Sequence, residues 1–300
     1  MRVGTRASPL ALAQARMVAD LLGDGAELVP IATSGDRAPG AAAGDTPLGA
    51  QDKERWVKEI ELALLDGEIE LAVHSAKDVP TALPEGLELV GTPPRGDPFD
   101  ALVGAPSLDA LKPGASVGTA SSRRAAQLRA LRADLEVRVI HGNVGTRLGR
   151  LEAGELDALV LAAAGLIRLG CAARIGCVLD ELVPAAGQGT LVLQARAGDE
   201  RAAAAARAIT DADAWRMLSA ERALVAGLDA SCNTPLGAHA AIGGDGIILR
   251  TFVGLPDGSR WLRDETPPAP TPQAAGELAA SRLLACGAAE LLRLAEQAAA

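Results

Sequence analysis

The chain has 300 residues and a mass of 30.4 kDa, a length that predicts two or three compact domains. Its formal net charge at pH 7 is −9, and it contains three Trp, two Phe and no Tyr. A negative surface repels phosphate polymers and few aromatic rings are present to stack on bases, so nucleic-acid binding is disfavoured. No apolar stretch approaches the roughly 18 residues of a membrane span, so no membrane contact is expected.

The N-terminus and the cysteines predict a cytoplasmic protein. Charged residues recur through residues 1–16 and interrupt any apolar stretch, so a secretory signal peptide is not expected. The cysteines are too few and too scattered for a disulfide framework or a zinc site, and no metal is expected; they are Cys171, Cys177, Cys232 and Cys286. The acidic composition is compatible with a monomer.

Short apolar runs alternate with amphipathic segments in the first third of the chain. Strands are predicted at residues 2–5, 27–33 and 69–74, with helices at 8–22 and 53–65 between them. Ser8 followed by proline is typical of a helix start. Residues 34–51 are rich in Gly, Pro, Ala and Asp and predict a mobile loop. The β-α-β-α-β order indicates a largely parallel sheet with helices on both faces.

A second cycle of the same kind follows the proline-rich segment 92–98. Its predicted strands are 101–103, 116–118, 137–140 and 156–162, and its predicted helices are 121–132 and 144–154. Residues 191–194 predict a strand that returns to the first lobe.

The pattern changes again after about residue 207. A helix is predicted at 213–226, strands at 238–242, 247–253 and 260–263, and one long terminal helix at 274–297. The predicted fold is therefore α/β, with two lobes built on mainly parallel sheets and a smaller third α/β domain. The predicted boundaries are 1–95 with 190–208 for the first lobe, 96–189 for the second and 209–300 for the third domain.

Polar residues follow several predicted strands, at the sheet edge where open α/β proteins bind ligands. In segment 117–124, Arg123 and Arg124 open a helix, where a positive charge opposes the helix dipole. We expect an anionic ligand there in preference to a solvent-facing pair. The glycine-bearing turn 141–147 is alone more typical of a tight connection. Segment 72–80 is either an ion-paired loop or a carboxylate held near a cation for proton transfer.

The cysteine of segment 230–237 differs from the other three. Cys232 lies among polar residues before a proline, whereas the others have the Ala, Leu and Gly neighbours typical of buried thiols. An exposed loop thiol is either tolerated or used as a nucleophile or attachment point.

Taken together, these motifs resemble the porphobilinogen deaminase family. The matching segments occur in the family's order over nearly the whole chain: 4–14, 45–48, 57–61, 72–80, 118–124, 142–148, 162–170, 187–189 and 221–237. The last of them is similar to the family's cofactor-attachment signature.

The resemblance implies three α/β domains, the first two like the lobes of a periplasmic binding protein. It implies a cytoplasmic transferase that joins four porphobilinogen molecules head to tail, releasing ammonia each time, and so supplies hydroxymethylbilane to tetrapyrrole biosynthesis. The primer is a dipyrromethane cofactor held by a thioether to Cys232. The family's catalytic aspartate matches Asp78. Cofactor contacts match Ser75, Lys77, Thr119, Ser121, Arg123, Arg124, Asn143 and Arg147, and substrate contacts match Arg6, Ser8, His141 and Arg168.

The residue types suit this chemistry. Each pyrrole unit carries two carboxylates, and guanidinium groups bind carboxylates bidentately without losing charge. Loss of ammonia leaves an electron-poor pyrrole unit, whose positive charge a carboxylate such as Asp78 can stabilise while it helps to move protons. A tether at Cys232 keeps each addition at high effective concentration.

Three positions depart from the family pattern: His141 stands in place of arginine, 53–56 replaces a glycine-rich segment, and Ala230 replaces glycine. The main alternative function is a two-lobed binding protein for small anions, in which a third domain presenting Cys232 would have no purpose. A regulator's effector domain is a further alternative, although no helix-turn-helix motif or basic face is evident.

Overall fold

The computed structural model describes residues 1–33, 51–230 and 234–299, and these residues form three β-sheets with flanking helices. The loop predicted at 34–51 lies outside the described residues except for its last position, and Cys232 lies outside them as well. The side chains of the divergent segment 53–56 are also outside the description. Among the described residues, no helix combines the length and apolar character that a membrane crossing requires.

The helices and strands alternate through the first two thirds of the chain. The strands are β1 (Arg2–Arg6), β2 (Glu27–Ile31), β3 (Leu71–Ser75), β4 (Leu87–Gly91), β5 (Asp100–Val103), β6 (Ser116–Gly118), β7 (Glu136–Arg138), β8 (Ala158–Ala162), β9 (Cys177–Leu179), β10 (Leu191–Arg196), β11 (Leu236–Gly243), β12 (Gly246–Gly254) and β13 (Trp261–Glu265). The helices are α1 (Pro9–Leu22), α2 (Gln51–Leu65), α3 (Ser122–Leu131), α4 (Val144–Glu152), α5 (Ala163–Arg168), α6 (Glu200–Ala208), α7 (Ala212–Gly227), α8 (Pro272–Ala285) and α9 (Ala288–Ala299).

The first sheet has the order β2-β1-β3-β10-β4. Strand β1 is parallel to β2 and β3, whereas β10 is antiparallel to β3 and β4. Apolar residues alternate along these strands, so α1 packs on one face through Ala15 and Val18. Helix α2 packs on the other face through Ile60 and Leu64. The returning strand that the sequence predicts at 191–194 is therefore confirmed as β10.

The second sheet has the order β7-β6-β8-β5-β9 and the same mixture of directions. Strand β6 is parallel to β7 and β8, and β5 is antiparallel to β8 and β9. The α/β class is confirmed, and each large sheet combines a parallel half with an antiparallel half. The antiparallel half arises because β5 and β10 each enter a sheet from the segments that connect the two lobes.

The third unit is an antiparallel sheet, β11-β12-β13, covered by α7, α8 and α9. The single terminal helix predicted at 274–297 is wrong, because two helices, α8 and α9, occupy this region. Gly287 separates them with a φ of 92°, a left-handed conformation that ends α8 and is available to glycine at little cost. Helices α5 and α6 and the short strands β4 and β9 are further elements that the sequence pattern did not predict.

Candidate active site

The central strand of the first sheet, β3, ends in a turn that carries two ionisable residues. A single 3₁₀ turn, Ala76–Asp78, follows β3, and the Ala76 N–H donates to the carbonyl of Thr190 at 3.0 Å. Gly187 packs against this turn with a φ of 74°, and a Cβ built there would lie 3.0 Å from the backbone nitrogen of Lys77. This close approach leaves no room for a side chain at position 187 and holds the turn that carries Lys77 and Asp78 in place.

Two cavities meet at this turn. The Ser8 cavity, of about 90 Å³, lies between α1 of the first lobe and α5 of the second; the predicted site residues lining it are Arg6, Ser8, Ser75, Lys77, Asp78 and Arg168. The Ser121 cavity, of about 300 Å³, lies between the first two lobes and the third unit; the predicted site residues lining it are Lys77, Asp78, Ser121, Arg123 and Arg124. Lys77 and Asp78 therefore form a wall common to both cavities.

Arg123 and Arg124 are buried, although they open helix α3. Asp100 at the start of β5 is completely buried and binds both: its Oδ2 lies 2.8 Å from Nη2 of Arg123 and its Oδ1 lies 2.7 Å from Nη2 of Arg124. Burial alone would raise the pKa of Asp100, but the two guanidinium groups outweigh it and hold that pKa below its usual range. The sequence analysis preferred an anionic ligand at Arg123 and Arg124 to a solvent-facing pair. The solvent-facing pair is wrong, because both side chains are buried. One anion that they bind is the carboxylate of Asp100.

Removal of the Asp100 charge should destabilise the fold. In an Asp100→Ala variant, two buried guanidinium groups lose their common carboxylate, and an uncompensated buried charge costs about 3–5 kcal/mol. We expect urea unfolding to show a loss of this size at pH 7. As a control, Asp134→Ala removes an exposed partner of Arg132 and should change the unfolding midpoint little. Equal midpoints for the two variants would contradict a structural role for Asp100.

The chain is similar to known proteins over almost its whole length. The family model described as porphobilinogen deaminase, dipyromethane cofactor binding domain, matches residues 1–204, and the model of the C-terminal domain matches residues 215–285. A porphobilinogen deaminase from Rubrobacter xylanophilus is 45% identical over 297 residues, which are 97% of this chain and 95% of that protein. The chain belongs to the porphobilinogen deaminase family.

Family membership confirms the predicted activity and cofactor. Porphobilinogen deaminases are transferases of tetrapyrrole biosynthesis that polymerise porphobilinogen to hydroxymethylbilane, and the matched domain binds dipyrromethane. Among solved structures, the methionine-binding protein MetQ is 15% identical and covers 72% of this chain and 91% of its own, with a TM-score of 0.44. Immunogenic lipoprotein A from Vibrio vulnificus is 11% identical and covers 72% of this chain and 96% of its own, with a TM-score of 0.42.

Four residues assigned to the deaminase site from sequence line neither cavity. Thr119 is buried and its Oγ1 accepts a hydrogen bond from the Ser121 N–H at 3.2 Å. Asn143 is exposed before α4, and His141 nearby is half-buried. Arg147 donates from Nε to the Gly142 carbonyl at 2.8 Å, and burial followed by the Arg124 charge lowers its pKa to about 10. Contacts of these four residues with cofactor or substrate stay a prediction.

Three side chains of this deaminase that sequence reasoning missed join the lobes to the third unit. Glu221 of α7 is fully buried, pairs with Arg95 at 2.8 Å and accepts the Gly187 N–H at 2.6 Å. Gln188 donates from Nε2 to Asp100 at 2.8 Å, while its backbone carbonyl accepts Nε of Arg95 at 3.0 Å. Two features of the sequence could have indicated this network: Arg95 is a charged residue in the 92–98 linker, and Gln188 lies between two glycines.

Arg222 is a missed cation that lines the Ser121 cavity. It extends from α7 to the loop after Asp78 and donates to the carbonyls of Pro80 and Thr81 at 2.8 and 2.9 Å. The third unit is therefore tied to the segment that carries Lys77 and Asp78. Its position inside the attachment signature, next to Glu221, was the signal that could have identified it.

Proposed function

We propose that the Ser121 cavity holds the dipyrromethane primer, that the Ser8 cavity receives porphobilinogen, and that Asp78 acts on the pyrrole units from the wall between them. The observation that carries this proposal is that Lys77 and Asp78 line both cavities. A group shared by the two cavities can serve the ring that is already bound and the ring that arrives. Repeated addition at one carboxylate needs such an arrangement.

The donor set of the cavities fits a polycarboxylate cofactor. Among the described residues that line them, Asp78 is the only acid, whereas the cations are Arg6, Lys77, Arg123, Arg124, Arg168 and Arg222. Two pyrrole rings with acetate and propionate groups carry four carboxylates, and arginine binds such groups bidentately. This local excess of positive charge lies in a chain whose net charge is −9.

The attachment of the cofactor to Cys232 is supported by the residues on either side of that thiol. Ala230 and Thr234, which line the Ser121 cavity, lie two positions before and two positions after Cys232 in the sequence. We assign the thioether to Cys232 and the carboxylate contacts in this cavity to Lys77, Ser121, Arg123 and Arg124. When bound, the dipyrromethane supplies the pyrrole carbon to which the first substrate unit is joined.

The Asp78 carboxylate is placed to stabilise positive charge on a pyrrole. It lines both cavities beside Lys77, whose charge it supports electrostatically. Its oxygens can accept pyrrole N–H groups as ammonia leaves and positive charge develops on the ring. Arg6, Ser8 and Arg168 in the Ser8 cavity would hold the substrate carboxylates.

Acquisition of the cofactor should slow at alkaline pH because Lys77 loses its charge. Burial, and to a smaller extent Arg124 and Arg123, lower the pKa of Lys77 to about 8, while Asp78 and Asp100 oppose the shift. Lys77 attracts the cofactor carboxylates below this pH and is neutral above it, so the rate at which the cofactor-free protein gains its dipyrromethane adduct should decrease as the pH rises through about 8. In the holoenzyme a bound cofactor carboxylate favours the charged amine, so kcat/KM should depend less on pH. A Lys77→Arg variant should keep its rate of adduct formation above pH 9; an identical decline in both proteins would contradict this assignment.

The proposed function predicts a defined stoichiometry. Purified protein incubated with porphobilinogen should release four molecules of ammonia for each hydroxymethylbilane formed, and Ehrlich's reagent should colour the protein itself through its bound pyrroles. A protein that binds porphobilinogen without releasing ammonia would be an anion-binding protein.

We further propose that the enzyme works in the cytoplasm as a monomer, without nucleic acid or membrane, and that its domains have the boundaries given from the sequence. The acidic net charge supports the exclusion of phosphate polymers. Within the described part of the chain, Cys171, Cys177 and Cys286 are free thiols, as a reducing compartment would maintain them. The separate hydrophobic clusters of the three sheets support the domain division.

A further inference from the structure

A buried chain of hydrogen bonds runs from helix α2 to the wall of the Ser8 cavity. Gln194 of β10 donates from Nε2 to Oε1 of Glu61 at 3.1 Å, and its Oε1 lies 3.0 Å from Nε2 of His74. Gln194 is 0% exposed, His74 5% and Glu61 8%, and His74 lines the cavity beside Asp78. The mechanism proposed above uses none of these three residues.

The chain fixes which nitrogen of His74 carries the proton. The amide NH₂ of Gln194 faces Glu61, because it donates to Oε1 of that side chain. The amide oxygen then faces His74, and Nε2 of the ring must be the protonated nitrogen. Nδ1 is left with a lone pair, and no described residue is in hydrogen-bond contact with it. Burial lowers the pKa of His74 to about 4, so the ring stays neutral at physiological pH.

A neutral acceptor beside a carboxylate suits one feature of the substrate. Porphobilinogen loses ammonia, so it arrives with an aminomethyl group, which is an ammonium with three N–H donors at neutral pH. The cations of the Ser8 cavity, Arg6, Lys77 and Arg168, repel that ammonium and serve its carboxylates. The same cavity also contains side chains that can accept hydrogen bonds from an ammonium: the Asp78 carboxylate, the neutral His74 ring, the Gln14 amide and the hydroxyls of Ser8 and Ser75.

We propose that His74 is a substrate-binding residue whose Nδ1 accepts a hydrogen bond from the ammonium of porphobilinogen, with Gln194 and Glu61 as positioning residues. This inference rests on the proposed function of the Ser8 cavity. It assigns recognition of the aminomethyl group, which leaves as ammonia, to His74 and not to Asp78.

The first test removes the acceptor and keeps the ring. A His74→Phe variant should lose about 10–100-fold in kcat/KM for porphobilinogen, mainly through KM, because a hydrogen bond to a charged group is lost. His74→Asn, whose Oδ1 occupies the place of Nδ1, should recover part of this loss. The control inhibitor is a pyrrole that has the same acid groups as porphobilinogen but hydrogen in place of the aminomethyl group. Because it lacks the ammonium, its inhibition constant should be equal in the wild type and in His74→Phe. The inference is overturned if kcat/KM is unchanged or if both pyrroles are affected alike.

The second test determines the tautomer of His74 directly in the wild-type holoenzyme. The chain contains three histidines, so ¹⁵N-histidine NMR of the wild-type holoenzyme at pH 7 can resolve each ring. His74, assigned by its absence from His74→Asn, should show a neutral Nε2–H tautomer. A charged ring or an Nδ1–H tautomer would rule the inference out. A wild-type enzyme that released no ammonia from porphobilinogen would instead contradict the proposed function itself.

Discussion

A Cys232→Ser variant is expected to carry no covalent cofactor and to have no measurable turnover. Serine keeps the shape of the side chain, but its hydroxyl is a far poorer nucleophile than a thiolate, so the attachment bond does not form. Without a tethered primer, the first addition becomes a reaction between free molecules and loses the effective concentration that attachment gives. The measurement is the intact mass of the purified protein together with hydroxymethylbilane formation.

The matched control is Cys286→Ser, because Cys286 is an exposed free thiol remote from the described cavities. This variant should keep the mass adduct, the colour with Ehrlich's reagent and the wild-type rate. If the adduct persisted in Cys232→Ser and disappeared in Cys286→Ser, the cofactor would be attached to Cys286. The Ser121 cavity would then be excluded as the cofactor site.

An Asp78→Asn variant is expected to retain the cofactor adduct while kcat falls by about 10²–10⁴-fold. The amide keeps the shape of the side chain and removes its negative charge, so positive charge on the pyrrole is no longer stabilised and proton transfer is lost. The loss should be in kcat, since the arginines that bind the carboxylates are unchanged. Single-turnover kinetics with porphobilinogen, after the adduct has been confirmed by mass, measure this step.

Asp213→Asn is the control for a lost carboxylate, because Asp213 is an exposed residue of α7 paired loosely with Arg216 at 3.4 Å. It should have wild-type kinetics. Wild-type turnover in Asp78→Asn would remove Asp78 from the mechanism, whereas a variant without adduct would place the residue in cofactor assembly rather than in elongation.

The arrangement explains how an acidic protein binds an acidic oligomer. The cations of both cavities converge from sequence positions as distant as Arg6 and Arg222, and Asp100 compensates part of the charge of the α3 pair. Arg123 and Arg124 therefore stabilise the second lobe, and Arg222 ties the third unit to the first lobe, at the same time as they border the Ser121 cavity. A substitution there would change stability and binding together, and an unfolding measurement is needed beside every kinetic one.

The sequence by itself determined the α/β class, the returning strand β10, the family resemblance and most of the charged residues that line the two cavities. Local patterns suffice for these features, because strand and helix periodicity follow from neighbouring residues and each motif is contiguous. Ser8, Lys77, Asp78 and Ser121 could be placed at strand or helix ends for the same reason. The terminal helix was predicted as continuous because the apolar pattern is the same on both sides of Gly287. The left-handed conformation of Gly287, which separates the two helices, is not visible in that pattern.

Only the tertiary structure decided which groups meet. Asp100 precedes Arg123 by 23 residues and Gln194 follows His74 by 120, and no local pattern encodes either contact. Both depend on how a strand enters its sheet, since β5 and β10 bring these side chains beside helices and strands formed elsewhere. Whether an arginine faces solvent, a ligand or a buried carboxylate is set by that packing, because the cost of a buried charge depends on the groups that surround it.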